Sequence, residues 1–503
     1  MSAPVPSGRR PILAGMPSFS LERRKTLTLA ATVLGSSLAF LDATVVIVAL
    51  PTIEQELDIG LNGQQWIFLS YSLALASLYL VGGAVGDRYG RRNTFMAGAA
   101  AFLAASILAG GAPNAALLIV ARALQGIGGA FMTTNSLALL RSVYAEDAGR
   151  AIGRWTSLTS VATLAGPLAG GALVEWVSWR WIFFLNLPLG LVCLAVAELG
   201  RCNEAKQLRQ GALDIPGAAL AAVSFGTLTF ALVQGAATSF GEVWWGFLAA
   251  AASLAAFAYR ETTCAAPMLP PALFRVRNFF VANLATFLIY GALYGVLVFL
   301  TIYLQFLGFT PFEAGLLLVP TSAAMIFLAA RFGALADRHG PRLYLSGGPA
   351  LMGIGALLFL GLAERDDLWT WGLIGLACFS IGLAAMVAPI TATALRSAPE
   401  RYAGIASGVN STVSRLGSLI AVAVIGLVIS LVFGARTEAQ GAVPIEKGQT
   451  DPALRDASTD GFRAGMALAA LLAFAGAAVA GAGISNREAR AEISEPEPAP
   501  AES

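Results

Sequence analysis

A single carboxylate, Asp42, stands inside the first long apolar run of the sequence. A charge in the middle of a membrane helix costs about 2.5–3.5 kcal/mol, so it calls for a partner or a function. Arg122, inside the fourth apolar run, is the candidate partner: counted from the run ends at Leu50 and Asn114, each charge lies eight residues in, about 12 Å along a helix. Charge inside a membrane helix is typical of a functional path, so we place both residues on a proton or cation-substrate path. The alternative is a fixed structural ion pair.

Arg415 is a third charge inside an apolar run, and no acidic residue shares that run. It lies about 18 Å along the helix from the predicted cytoplasmic end. A backbone carbonyl, an anionic lipid or a group on a substrate could bind its guanidinium. A structural role and a place on the proton or substrate path are equally supported.

Polar and aromatic residues in two of the apolar runs indicate a candidate substrate pocket. Tyr290 and Tyr294 are four residues apart and therefore share one face of a helix, near Asn283. Gln125 and Asn135 add polar groups to the fourth run. An aromatic face with few hydrogen-bonding groups suits flat, lipophilic and often cationic molecules. The alternative is that these rings face lipid or the protein core.

A ten-residue phrase occurs twice in the chain. GAVGDRYGRR at residues 83–92 returns as GALADRHGPR at 333–342, and each copy joins two apolar runs. The repetition predicts two structurally repeated halves, as in secondary transporters. Carboxylates near a helix start, and arginines near acidic groups or lipid phosphates, could latch the cytoplasmic side shut. Ordinary positive-inside topology would explain the arginines but not the carboxylates, so we assign a cytoplasmic gate to Gly83, Asp87, Arg88, Gly90, Arg91, Arg92, Asp337, Arg338 and Arg342.

The composition excludes an ordinary soluble protein. Of 503 residues, 57% are hydrophobic and 12% are charged, against roughly 25% charged in soluble domains. The net charge is only +2 and the basic residues are spread over short turns, so no nucleic-acid partner is indicated. The four cysteines lack paired spacing and predict neither a disulfide frame nor a zinc site. Because no nucleophile–base pair or metal cluster is recognisable, we expect neither an enzyme nor a cofactor or metal.

Fourteen apolar runs reach the roughly 20 residues that a membrane-spanning helix needs, which predicts an all-α integral membrane protein. The predicted spans are residues 27–50, 64–86, 94–112, 114–140, 151–174, 181–199, 214–235, 243–260, 278–304, 312–335, 343–362, 369–394, 403–433 and 461–484. Alternate loops carry 24 Lys and Arg on the side of the N-terminus and six on the other side. By the positive-inside rule both termini are cytoplasmic.

The positions of the two phrases predict the domain plan. They lie eight spans apart on one membrane face, where a six-plus-six plan would place them six apart, so two helices are inserted between parallel repeats. The predicted segments are a cytoplasmic leader (1–26), an N-terminal six-helix bundle (27–199), the inserted helices with a linker (200–260), a C-terminal six-helix bundle (278–484) with an external loop (434–460), and a disordered cytoplasmic tail (485–503). We expect a monomer in contact with membrane lipids.

These motifs together resemble the major facilitator superfamily, and within it the fourteen-helix drug:proton antiporters. GAVGDRYGRR is similar to the superfamily's loop motif, LDATVVIVALPTI at 41–53 to the first-helix motif of these exporters, and ARALQGIGGA at 121–130 to a helix-4 motif built around a buried arginine, here Arg122. WRWIFFLNLPLG at 179–190 resembles the phrase that follows helix 5 in the family. Pro341 replaces a basic residue in the second loop copy, so the C-terminal half would gate less through charge.

The fifth apolar run resembles the helix-5 antiporter pattern through Gly153, Gly166, Pro167, Gly170 and Gly171. Small residues let helices approach closely, and a proline frees a carbonyl and bends the helix. The resemblance implies a kinked, tightly packed helix that seals the pathway against ion leak; simple helix packing is the alternative. Ala162 stands where the family usually has Gly and adds a methyl group to this close-packed face.

The resemblance implies a plasma-membrane exporter that exchanges lipophilic or cationic organic compounds, such as drugs and antibiotics, for external protons by alternating access. No Gly-x-x-x-x-Gly-Lys-Ser/Thr phosphate loop occurs in the chain, so ATP is not the expected energy source. A dedicated exporter of one metabolite, such as an antibiotic, siderophore, amino acid or lipid, is the first alternative. A membrane sensor that has lost transport is the second, although the buried charges speak against it.

Overall fold

The computed structural model describes residues 20–144, 148–200, 214–237, 240–264, 271–398, 403–437 and 443–486, with the backbone alone at scattered positions inside these ranges. No strand occurs in these ranges. The N-terminal half consists of α1 (Leu21–Leu57), α2 (Gly60–Tyr89), α3 (Arg91–Gly110), α4 (Ala115–Val143), α5 (Ala148–Trp176), α6 (Trp181–Phe184) and α7 (Asn186–Leu199).

Two helices, α8 (Ile215–Ala237) and α9 (Phe240–Thr263), and the short α10 (Pro271–Phe274) come between the halves. The C-terminal half consists of α11 (Arg277–Phe306), α12 (Pro311–Leu317), α13 (Val319–His339), α14 (Arg342–Leu358), α15 (Trp371–Arg396), α16 (Ala403–Arg436) and α17 (Pro452–Gly483). Every predicted span coincides with a helix or with a pair of consecutive helices, α6 with α7 and α12 with α13.

The helices are long and apolar enough to make this a multi-pass membrane protein. Within the described residues, 11 helical stretches meet a length and hydropathy standard for crossing a membrane, and Ala219–Gly235 is a shorter apolar stretch. The predicted number of fourteen spans is therefore not established by this measure.

Three helix ends extend beyond the predicted spans, and capping groups explain two of them. α1 begins at Leu21, inside the predicted leader, because the Ser20 side chain accepts a hydrogen bond from the Arg23 N–H at 3.4 Å. α17 begins at Pro452, inside the predicted external loop, because the Asp451 carboxylate accepts from the Ala453 N–H at 2.9 Å. The other side of that loop also shortens, since α16 continues to Arg436. Of the predicted tail, residues 487–503 lie outside the described part.

The same pairs of helices pack in both halves. α1 contacts α5 and α7, α4 contacts α2 and α3, and α3 contacts α7. In the C-terminal half, α11 contacts α16 and α17, α15 contacts α13 and α14, and α14 contacts α17. Since the matching helices follow in the same chain order, the second half repeats the packing of the first. α8 and α9 pair with each other, and α8 also contacts α2 and α16, one helix from each half.

The two halves meet at one end of the bundle, which we call the α1–α2 end because α1 ends and α2 begins there. A Cβ on Gly315 of α12 would lie 2.2 Å from the carbonyl oxygen of Pro167 in α5, so only glycine permits this approach. Beside it, the rings of Trp176 and Phe312 are 5.1 Å apart, and the Phe312 N–H donates to the Glu175 carboxylate at 3.1 Å. These contacts close the α1–α2 end between the halves.

Tryptophans also gather at the α1–α2 end. Six of the nine in the chain are exposed, and all six lie at or near helix termini on this side. They are Trp176, Trp181, Trp244, Trp245, Trp369 and Trp371. Such amphipathic rings are typical of the interface between membrane and water.

Candidate functional site

The buried carboxylate of Asp42 is surrounded by hydrogen-bond donors. Its side chain is 1% exposed, and Arg122 from α4 donates from Nη1 to Oδ2 at 2.5 Å. Gln125, one turn further along α4, donates to Oδ1 at 3.2 Å, and Asn186 of α7 donates to the same oxygen at 3.1 Å. The matching depth of Asp42 and Arg122 along their helices thus corresponds to direct contact. One charged donor and two neutral donors thus satisfy the oxygens of this carboxylate.

Arg122 is fully buried and only partly satisfied. Besides Asp42, its guanidinium donates to the Gln125 side-chain oxygen at 2.8 Å and to the Ile67 carbonyl of α2 at 3.3 Å. The ring of Tyr71, also in α2, lies 4.4 Å from the guanidinium carbon, within range of a cation–π contact. Nη2 of Arg122 has no hydrogen-bond partner among the residues that the structure describes. A buried charged donor without a partner is costly, which marks the place where a water or a ligand group could bind.

Three members of this cluster were missed from the sequence: Ser106, Asn186 and Tyr71. The Ser106 hydroxyl accepts from Gln125 at 2.8 Å and from Asn186 at 3.3 Å, so it holds both amides against the carboxylate. Asn186 lies in the phrase WRWIFFLNLPLG, where it is the one amide among apolar residues. That contrast was a usable signal for Asn186, whereas a serine or tyrosine in an apolar run offers none.

Arg415 lies near the middle of α16 and does not join the Asp42 cluster. Its guanidinium has no hydrogen bond or ion pair with any residue that the structure describes. Its electrostatic neighbours are the phenols of Tyr294, Tyr71, Tyr79 and Tyr290, from α2 and α11. Tyr71 is thus an electrostatic neighbour of both arginines, and its ring stacks on Arg122.

The predicted substrate pocket divides into two groups. Three of the residues are buried, and their amides form hydrogen bonds within the protein: Gln125, Asn135 and Asn283. Gln125 belongs to the Asp42 cluster, and Asn135 donates to the Gly82 carbonyl of α2 at 2.8 Å. Asn283 donates within α11 at 2.9 Å and accepts from α16 at 3.3 Å. The amides of Asn135 and Asn283 link neighbouring helices, and their place in a substrate pocket stays a prediction. Tyr290 and Tyr294 are only partly buried and face Arg415.

The first copy of the repeated phrase forms the turn between α2 and α3. Gly90 has φ 98°, a left-handed value that favours glycine, and thus makes the tight turn possible. Gly83 lies inside α2, and a Cβ there would meet nothing within 4 Å. Its place in the cytoplasmic gate stays a prediction. The side chain of Asp87 lies outside the described part, so its predicted capping role stays a prediction.

The arginines of the first copy tie α3 to its own half. Arg91 donates to the Ala138 carbonyl of α4 at 3.1 Å, and Arg92 forms an ion pair with Glu198 of α7. Arg88 is exposed. These contacts brace one bundle; a latch between the halves remains a prediction.

The second copy has the same turn with different partners. Gly340 has φ 93°, and Asp337 of α13 pairs with Arg396 of α15 at 2.6 Å beside a cavity of about 390 Å³. Arg342 donates to the Gly481 carbonyl of α17 at 2.5 Å, while Arg338 is exposed. His339, the only histidine in the chain, has its Nδ1 3.0 Å from the Leu335 carbonyl oxygen in this turn.

The α5 glycines lie where other helices approach closely. A Cβ on Gly166 would be 2.0 Å from the Thr44 hydroxyl, and one on Gly170 would be 3.0 Å from the Val45 side chain, both in α1. A Cβ on Gly171 would be 2.7 Å from the backbone of α12. Pro167 is accommodated inside α5, next to α12; the packing around Gly153 lies outside the described part. The glycines thus let α5 touch its own half and the opposite half at once.

Residues 32–422 match the family described as the Major Facilitator Superfamily. The chain belongs to this superfamily. Two relatives are the multidrug resistance protein Stp of Mycobacterium tuberculosis, 34% identical over 86% of this chain and 81% of that protein, and the tetracenomycin C resistance and export protein of Streptomyces glaucescens, 33% identical over 84% and 79%. The superfamily consists of transporters, so this chain is a multi-pass membrane transporter with a small-molecule substrate.

A solved structure shows the same fold at low sequence identity. It is the crystal structure of a bacterial homologue of the human lysosomal transporter Spinster, 18% identical, with a TM-score of 0.66 over 94% of this chain and 99% of that one. Within the described residues of this chain, no group of His, Cys, Asp and Glu could hold a metal ion. What the site offers instead is one ionisable carboxylate, the buried guanidinium of Arg122, the partly exposed guanidinium of Arg415 and the phenol of Tyr71 near both.

Proposed function

We propose that this superfamily member exports lipophilic or cationic organic compounds, such as drugs and antibiotics, in exchange for protons across the plasma membrane. Fourteen helices would cross the membrane with both termini in the cytoplasm, which makes the α1–α2 end external. The transporter would work as a monomer, and the antiporter subfamily suggested by the sequence motifs fits this assignment.

The observation that carries the proposal is the buried cluster around Asp42. A carboxylate at this depth with a single charged partner can exist as an ion pair with Arg122 or as a neutral acid beside a free guanidinium. The unpartnered Nη2 of Arg122 supplies a site for water next to the carboxylate. Proton uptake from the outside and release to the inside would then alternate with movement of the substrate.

Alternating access is supported by the repeated packing of the halves and by their meeting at the α1–α2 end. Rigid-body rocking of two repeats around a central site is the usual motion of such folds. The glycines at 171 and 315 would permit closure at the external end, and the two basic turns would close the opposite end. α8 lies against one helix of each half and would follow this motion.

A dedicated exporter of one metabolite is the second candidate. It is favoured by the Streptomyces glaucescens relative, whose name refers to a single compound that it exports. The two candidates predict different substrate ranges for the same proton-coupled machinery.

Uptake of dyes into inverted membrane vesicles, prepared from a strain that lacks its own pumps, tests the proposal, because export from the cell becomes uptake in an inverted vesicle. Vesicles with this protein should accumulate several structurally unrelated compounds when a proton gradient is present, and accumulation should stop when an ionophore collapses the gradient. Equal accumulation without the gradient would refute proton antiport. Movement of one metabolite alone, which also builds up inside deletion cells, would establish the dedicated exporter.

A further inference from the structure

Arg415 is the charged group that the Asp42 cluster leaves unexplained. It lies 12 residues from the start of α16, about 18 Å along the helix, at a depth where water is scarce. No carboxylate, carbonyl or hydroxyl among the described residues accepts from its guanidinium. Its side chain is only partly buried, and a guanidinium carries five N–H donors, so these free donors point to a ligand with acceptor groups.

The charges around Tyr71 do not balance. This phenol lies within electrostatic range of Asp42, Arg415 and Arg122, which together carry one negative and two positive charges. Arg122 is paired with Asp42, so the surplus positive charge belongs to Arg415. A cation would be repelled from this region, whereas an anion would neutralise it.

The electrostatic neighbours of Arg415 are aromatic and come from both halves, since α16 packs against α11 of its own half and α2 of the other. Tyr290 and Tyr294 belong to α11 of the C-terminal half, and Tyr71 and Tyr79 belong to α2 of the N-terminal half. Tyr79, Tyr290 and Tyr294 are only partly buried, so their rings and hydroxyls can contact a ligand. Phe68 extends the aromatic wall, with its ring centroid 6.1 Å from that of Tyr294.

We propose that Arg415 binds the acidic oxygen of an aromatic substrate, a carboxylate or phenolate, whose ring system lies against Tyr290, Tyr294 and Tyr79. The planar guanidinium fork binds a carboxylate through two parallel hydrogen bonds, which fixes the orientation of the ligand. Tyrosine faces and edges stack on a flat ring system. This assignment rests on the proposed export function and names aromatic acids, rather than cations, as its substrate class.

The position of Tyr71 connects this substrate site to the Asp42 cluster. Its ring packs on Arg122, and its hydroxyl donates to the Ala39 carbonyl of α1 at 3.3 Å. A ligand that displaces the α2 tyrosines would thus shift a direct contact of the Asp42–Arg122 pair. Export of an anion is also favoured by the inside-negative membrane potential.

A pair of dyes on one scaffold tests the proposal: fluorescein is an acid and rhodamine 6G is a cation, and both share the xanthene ring system. Binding to the purified full-length protein in neutral-lipid nanodiscs is measured by fluorescence anisotropy. Variants Arg415→Gln and Arg415→Lys are compared with the matched control Arg436→Gln, an exposed arginine at the end of the same helix. Size-exclusion profiles establish that each variant is folded; Tyr294→Phe keeps the ring and serves as a milder second probe of the site.

Fluorescein should bind the parent protein, and Arg415→Gln should raise its Kd about ten- to hundredfold, as expected for loss of hydrogen bonds to a charged group. Arg415→Lys should raise it less, and Arg436→Gln should leave it unchanged. Rhodamine 6G should bind Arg415→Gln at least as well as it binds the parent. Fluorescein binding that is absent in the parent, or equal in Arg415→Gln, would overturn the proposal.

An anionic lipid headgroup has the same chemistry as an acidic substrate, so a second set of nanodiscs contains phosphatidylglycerol. The proposal expects fluorescein to keep its Kd there; displacement by the lipid would assign the site to a headgroup and overturn the substrate assignment. Failure of the proposed function is separate: proton-driven efflux of fluorescein that survives Arg415→Gln at the parental rate would refute the anion site alone, whereas gradient-independent movement of all compounds would refute antiport.

Discussion

Replacing Asp42 with asparagine changes the one ionisable acid in the buried cluster. The carboxylate accepts three hydrogen bonds, from Arg122, Gln125 and Asn186. An asparagine side chain has one acceptor oxygen and one NH₂ group, and that NH₂ must face at least one of these donors. Asp42→Asn therefore leaves the Arg122 guanidinium without a counter-charge. It also places the NH₂ group of the new side chain opposite another hydrogen-bond donor.

The size of the effect follows from the burial of the pair, whose side chains are 0% and 1% exposed. Removing one partner of a buried ion pair costs about 3–5 kcal/mol, because the other charge stays behind unpaired. We expect a lower unfolding temperature, with the fold retained. Gradient-driven efflux should fall to background since no group can exchange the proton, while exchange of labelled for unlabelled substrate should continue.

The assay is substrate flux in proteoliposomes, run once with a proton gradient and once as equilibrium exchange without a gradient. Asp214→Asn is the matched control: this acid is also buried, pairs with Arg260 at 2.5 Å, and lies just before α8, outside the cluster. The control should pump at the parental rate. If Asp42→Asn also pumps at the parental rate, the assignment of Asp42 to the proton path is wrong.

Other substitutions test the rest of the site. Asn186→Ala removes one donor to the buried carboxylate and should slow gradient-driven efflux and cost about 1–3 kcal/mol of stability, measured as flux and thermal unfolding. Gly315→Leu should stop transport by holding the two halves apart at the α1–α2 end. Gly347→Leu is the control and should leave transport unchanged, because a Cβ there would meet nothing within 4 Å. Substrate flux and cysteine crosslinking across the α1–α2 end measure both effects. Asp337→Asn breaks the half-exposed ion pair with Arg396 and should lower the free energy of unfolding by less than about 1 kcal/mol. Substrate flux should nevertheless fall, and unchanged flux would contradict a gate at this turn.

Most of the helices could be predicted from the sequence because a membrane-spanning helix has one simple requirement. Each span needs an apolar run of sufficient length, and hydropathy records that directly. Boundaries were less accurate where local hydrogen bonds decide them. The carboxylate of Asp451, for example, caps α17 at its start and moves that start nine residues ahead of the apolar run predicted at 461–484.

The charged pair was predictable and its surroundings were not. Depth along a helix is a count of residues, so the sequence alone places Asp42 and Arg122 at the same level. Which side of a helix faces which neighbour depends on the packing of distant segments. For this reason Asn186 was missed although it touches the carboxylate, and the hydrogen bond of Asn135 to a carbonyl of α2 was not predicted.

Simultaneous measurement of substrate and proton flux tests the central claim most directly. Proteoliposomes containing the purified protein and a trapped pH dye are given substrate on one side only, with no gradient imposed. Substrate movement should drive protons in the opposite direction, and Asp42→Asn should abolish the proton signal while exchange of substrate persists. Substrate flux with no proton movement, or with protons moving in the same direction, would contradict the account.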